Sequence, residues 1–263
     1  EAAVSAAERI EWRVLGSELE AAVEELRLIR ELRPPANARV SRPDRYSYLR
    51  RRGDAVVASS QPGPLGPIRS RRRAQLAARA LTADDLAAPA RALPRVRTRL
   101  RELSDARRFE DAGRLRDRME ALERVCRELD RLASLHAVAR CLVVPAATPG
   151  HARAFFVAGG RLAAVRTLPP GGGAHLEAEA GLAATRRALQ PSNSLLLGDV
   201  DVDELLLLGT FLRRPPPELA VVPLEREAIL AAARRVAAEA PLPSGRGRGP
   251  DPRPRPDGPR LFD

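Results

Sequence analysis

The sequence predicts an α+β chain of small units in series, and three observations lead there. Residues 96–132 form a highly charged stretch with strong helical patterning. From Val138 onward, short β-rich runs alternate with glycine turns and then give way to helices. Beyond Pro241 the chain is rich in proline, glycine and arginine; it has too little apolar surface to offset its chain entropy, so disorder is expected. These shifts divide the chain into residues 1–80, a linker at 81–95, a helical hairpin at 96–133, an α+β domain of unassigned role at 134–240, and a tail at 241–263.

Taken in order, residues 10–14 read as a short strand. Ser17, with Glu20 three residues later, makes a capping box for a helix whose buried face carries Leu19, Val23, Leu26 and Ile29. Pro34-Pro35 ends that helix. Residues 47–59 read as two strands turning at Gly53-Asp54, and Gly63-Pro64-Leu65-Gly66-Pro67 as a stiff turn. A basic helix is expected at 70–81, opening with Arg71-Arg72-Arg73. Ala112, Leu115, Met119, Leu122, Cys126 and Leu129 alternate spacings of three and four, which marks a coiled-coil seam. Asp105 to Arg108 breaks the stretch, so Val96, Leu100 and Leu103 should fold back against the longer helix. Strands are then expected at 141–144, 154–158 and 162–167, with Gly159-Gly160 as a two-residue turn. Helices at 175–189, 202–213 and 226–239 and short strands at 195–197 and 219–222 complete the domain.

The formal net charge is +11, and all 45 basic residues are arginine. A GC-rich coding bias explains arginine in place of lysine but not the positive sign. Guanidinium groups bind phosphate in a planar, bidentate manner, so a polyanionic partner, DNA, is expected. Two cysteines, Cys126 and Cys141, exclude a disulfide framework and a cysteine-rich zinc site; they read as small buried hydrophobes. With no membrane-length apolar run and no secretory layout at the N-terminus, a cytoplasmic location and no membrane partner are expected.

Two stretches carry chemistry. The first runs through Glu25-Leu26-Arg27-Leu28-Ile29-Arg30 to Pro34-Pro35-Ala36-Asn37. It resembles the second half of the GIY-YIG nuclease domain of the UvrC and Cho-like family, whose pattern there is roughly E-x-x-L-I-K-x-x-x-P-x-x-N. The resemblance implies an α/β remnant of that domain in which Glu25 binds a divalent metal, Mg²⁺ or Mn²⁺, for phosphodiester hydrolysis. It also implies that Asn37 orders the loop around the site. Asp44-Arg45-Tyr46-Ser47-Tyr48 and the Gly63–Pro67 stretch extend it loosely. The family's tyrosine hairpin and catalytic arginine would fall before Glu1, so this segment alone is expected not to cut DNA. Without the resemblance, Glu25 is one solvated glutamate on an amphipathic helix. Arg69, Arg71, Arg72 and Arg73 suit contact along a DNA backbone, with no base reading suggested.

The second stretch is Phe109-Glu110-Asp111-Ala112-Gly113-Arg114-Leu115-Arg116-Asp117-Arg118-Met119. It resembles the UVR motif, F-E-x-A-A-x-L-R-D-x-I, a helical hairpin through which UvrB and UvrC dock. The resemblance makes Phe109, Ala112, Leu115 and Met119 packing residues and Glu110, Arg116 and Asp117 the polar signature. The implied partner is UvrB or another protein with the same motif. Gly113 and Met119 depart from the pattern. The layout is also similar to proteins that fuse a proofreading-like 3′–5′ exonuclease to a GIY-YIG domain, a UVR motif and a small C-terminal domain. The expectation is therefore a nucleotide-excision-repair type nuclease. The alternative is a non-catalytic DNA-binding adaptor that recruits a partner through the hairpin.

The remaining candidates are weaker. Asp199, Asp201, Asp203 and Glu204 are close in sequence, but Asp201 with Glu204 reads as a capping box. His136, His151 and His175 lack ligand spacing, and Gly171-Gly172-Gly173 lacks the Lys-Ser/Thr of a phosphate loop.

Overall fold

The computed structural model describes residues 11–34, 46–190 and 202–239. Among these residues the fold is α+β, with two antiparallel sheets. The strand expected at 195–197, the tail expected to be disordered, and Asn37, Asp199 and Asp201 lie outside the described residues.

Residues 11–15 form no strand, contrary to expectation. Helix α1 (Glu18–Leu32) follows. Ser17 Oγ accepts the Glu20 N–H at 3.1 Å, while the Glu20 carboxylate accepts the Gly16 N–H at 3.0 Å, one residue further back than in a standard capping box. Arg33 ends the helix in the left-handed conformation, φ 45°, and Pro34 follows.

Strands β1 (Ser47–Arg52) and β2 (Ala55–Ser59) form the expected hairpin about Gly53-Asp54. The Gly63–Pro67 stretch differs from expectation, because Leu65–Ile68 forms a third strand, β3, antiparallel to β1. The order is β2-β1-β3, so Pro67 lies on an edge strand, where its missing N–H breaks no ladder. Helix α2 (Arg71–Ala78) is capped by Ser70 and lays Ala74, Ala77 and Ala78 into the core.

Residues 81–95, expected to be a linker, are folded. Leu81 is buried, two 3₁₀ turns follow, and Asp85 binds Thr82 and Arg95. The helical hairpin is α3 (Ala92–Asp105) and α4 (Phe109–His136), joined at 106–108, where Arg107 takes φ 56°. Arg97 on α3 and Glu123 on α4 pair across it at 2.7 Å. Val96, Leu103, Ala112, Leu122, Val125 and Cys126 are buried. The first core gathers Leu49, Val56 and Ile68 of the small sheet with α2, α3 and the middle of α4.

The second sheet has the order β6-β5-β4-β7, with β4 (Ala139–Pro145), β5 (Ala152–Ala158), β6 (Arg161–Leu168) and β7 (Ala220–Val222). Ala158 pairs with Arg161, so Gly159 and Gly160 are the two turn residues; their φ of 62° and 75° is what that tight turn requires. Cys141, Val143, Ala154 and Phe156 face helices α5 (Gly173–Ala188) and α7 (Arg226–Glu239). Leu142, Val144, Phe155 and Val157 face the other way, toward Leu19 of α1 and Leu208 and Phe211 of α6 (Val202–Arg213). Burial on both faces explains why these strands read as unbroken apolar runs. Helix α1 thus packs on the C-terminal sheet, while β1 to β3 and α2 pack on α4, so residues 11–34 and 46–80 join different cores. Leu132 on α4 and Leu205 on α6 meet between the two cores.

Candidate nucleic-acid interface

The end of β3, the first turn of α2 and the outer face of α4 bring arginines together. Arg69, Arg71 and Arg72 are exposed. Arg73 is half-buried and directed at α4, where its guanidinium meets Glu128 Oε2 at 3.3 Å. Glu128 Oε1 also accepts the Arg69 backbone N–H at 3.1 Å. One carboxylate therefore ties the start of α2 to α4.

Around this link lies a cavity of about 380 Å³. Arg69, Arg73, Arg127 and Arg131 line it, over a floor that includes Leu132 and Leu206. A second groove of about 300 Å³ shares Arg73 and adds Arg72, Arg124, Asp117 and Glu120. The basic residues expected at 69–73 are thus joined by Arg124, Arg127 and Arg131, which the sequence reading missed. Their spacing of three and four puts them on one side of a helix, a signal that was present. It was hidden because residues 96–132 carry charges of both signs throughout.

Two other cavities are less suited to a polyanion. The one of about 730 Å³ is walled by residues such as Val14, Pro145, Pro217 and Val236, and its charged groups are Glu218 and Glu239. The one of about 560 Å³, beside Gly171 and Gly172, contains Arg234 and His175 but is otherwise lined largely by apolar residues.

Glu25 is exposed on α1. Its neighbour Glu24 is held by Arg13 and Arg27, both at 2.9 Å; the Arg27 hydrogen bonds outweigh desolvation and keep the Glu24 carboxyl below its ordinary range. Among the described residues, Glu25 has no side-chain partner, and no group of three or more His, Cys, Asp and Glu side chains is placed to hold a metal. Asp203 accepts the Tyr46 hydroxyl at 3.0 Å, and Glu204 binds the Leu162 N–H and Arg30. These acidic side chains are engaged in packing contacts.

Along the hairpin, Ala112 is buried and Leu115 and Met119 are half-buried against the first core. Glu110, Arg116 and Asp117 are exposed. Phe109 departs from the packing role implied for it: it opens α4 with 70% of its surface exposed. His136 Nδ1 lies 3.1 Å from the Gly159 carbonyl, and His151 Nδ1 at the same distance from that of Pro149. Cys126 and Cys141 are buried free thiols, and burial pushes Cys141 up to about 12. Among the described residues, no helix is long and apolar enough to cross a membrane.

Fold and site together define an α+β protein with an arginine-lined cleft between a small sheet-and-hairpin core and a sheet covered on both faces. No family model, curated protein or solved structure matches the chain.

Proposed function

We propose that this chain serves DNA repair as the DNA-gripping and partner-recruiting part of a UvrC-like nuclease. The observation that carries this reading is the convergence of Arg69, Arg73, Arg127 and Arg131 on one cavity, with Arg71, Arg72 and Arg124 beside it. Guanidinium groups from two elements, spread along a groove, neutralise successive backbone phosphates without reading bases. In the complete nuclease, Glu25 is the carboxylate that would hold a divalent cation, and that cation supplies charge neutralisation at the scissile phosphate. This role rests on the sequence resemblance of the Glu25 helix. The hairpin, with Phe109 exposed at its tip beside Glu110, Arg116 and Asp117, is the docking element for UvrB or a similar partner.

Fluorescence anisotropy with a labelled DNA duplex tests the grip. Arg127→Ala with Arg131→Ala should weaken binding at every sequence tried and lower the slope of log affinity against log salt by about two units. Unchanged affinity would defeat the assignment. In the full-length gene product, Glu25→Gln should abolish Mg²⁺- or Mn²⁺-dependent nicking while leaving duplex affinity and folding intact. If duplex binding persists but Glu25→Gln has no effect because the full-length protein does not nick, the adaptor reading replaces the nuclease one.

A further inference from the structure

Building on the arginine cavity as a phosphate-binding surface, we infer that Glu128 is a built-in occupant of its anion seat, which a run of nucleic-acid phosphates has to displace. The two Glu128 carboxylate oxygens take a main-chain N–H, that of Arg69 at 3.1 Å, and a guanidinium, that of Arg73 at 3.3 Å. A backbone N–H beside a helix N-terminus together with an arginine is the donor set that holds phosphate oxygens elsewhere. Ser70 caps that helix, and Arg127 and Arg131 flank Glu128 on α4 and line the same cavity. Among the described residues, neither flanking arginine is in an ion pair, so the seat stays cationic even with the carboxylate in it.

The charges decide what can enter. A carboxylate carries one negative charge, as an internucleotide phosphate does, so exchanging one for the other at the seat gives little net gain. The gain comes from neighbouring phosphates that reach Arg71, Arg72 and Arg124 outside it. Glu128 therefore discriminates against single anions and makes occupancy depend on several phosphates in a row.

The test uses the full chain with two probes, a labelled DNA duplex and inorganic phosphate. Glu128→Gln should tighten duplex binding about tenfold, steepen the salt slope by about one unit, and bring phosphate binding into the range seen by calorimetry. Glu123→Gln is the matched control. It makes the same charge change on the same helix, at a residue paired with Arg97 away from the cavity, and should leave both probes near wild type. Equal effects of the two substitutions, or none from Glu128→Gln, overturn the proposal. If Glu128→Gln loses helicity, Glu128→Asp keeps the charge but withdraws it by one methylene; it should move both probes the same way by less, and no movement overturns the idea. Weaker duplex binding in Arg127→Ala with no effect of Glu128→Gln sinks the Glu128 role and leaves the DNA reading standing. Phosphate uptake by Glu128→Gln with no duplex binding by any variant sinks the DNA reading and, with it, the requirement for a run of nucleic-acid phosphates, leaving only a phosphate seat that Glu128 blocks.

Discussion

Asp85 is a buried carboxylate held by two neighbours. Its Oδ2 accepts the Thr82 N–H, the Thr82 hydroxyl and the Arg95 guanidinium, each at 2.7 Å. Burial alone would push its carboxyl up; the bonds from Arg95 and Thr82 together outweigh burial and hold it below its ordinary value. A carboxyl lowered by folding contributes stability that is fully present above its unfolded value, about 3.9, and is lost as pH falls through the lower folded value. Asp85→Asn should therefore cost about 1 kcal/mol near neutral pH, in line with the loss of a helix cap. It should also shrink the difference between urea midpoints measured at pH 7 and pH 3. An unchanged midpoint at pH 7 contradicts the assignment. Thr82 and Asp85 do have the spacing of a capping box, but 81–95 reads as an alanine-rich connector, and the pairing with Arg95 depends on how the turn folds back.

At the scale of elements, the strands and helices that carry strong local patterns were legible: the Gly53-Asp54 hairpin, the Gly159-Gly160 hairpin and the two-helix hairpin broken before Phe109 all formed as read. Elements defined by partners were not. Leu65–Ile68 looks like a turn because glycine and proline dominate it, and it becomes a strand only because β1 offers a free edge. The basic site was half legible: Arg69 and Arg71 to Arg73 are close in sequence, whereas the three-and-four spacing of Arg124, Arg127 and Arg131 is masked by charges of both signs around it. Gly181 is similar: in sequence it is a helix-weakening glycine, yet in the structure a Cβ there would run into the Phe156 ring. The α5 helix approaches the sheet closely at that point, and the missing side chain permits it. Gly181→Ala should thus destabilise by about 1–3 kcal/mol through overpacking, despite alanine's better helix propensity. A thermal melt checks the sign, because a gain in melting temperature would mean that the helix and sheet are not in tight contact there.

For the whole molecule, the consequential fact is that the glutamate helix belongs to the C-terminal core. Leu19 is fully buried among Leu142, Val144, Phe155 and Leu208, and Glu20 meets Arg153 of β5 at 3.3 Å. Any metal held by Glu25 would consequently ride on the layer that covers the second sheet, while the arginine cleft rests on α2 and α4 of the first core. The two are joined through Leu132 and Leu205 and through the Tyr46 hydroxyl, which donates to Asp203 of α6 at 3.0 Å. Sequence order could not show this, because residues 11–34 precede the small sheet and pack on strands more than a hundred residues later. Leu19→Ala should cost about 2–5 kcal/mol, as removal of a fully buried leucine does. The loss should appear in a specific place. Amide exchange should accelerate together in α1 and in β4 and β5, since they share one core, while β1, β2 and the α3–α4 hairpin keep their protection. Acceleration in β1 and β2 with β4 and β5 unaffected would place α1 on the small sheet instead, and would take Glu25 off the layer that covers the second sheet.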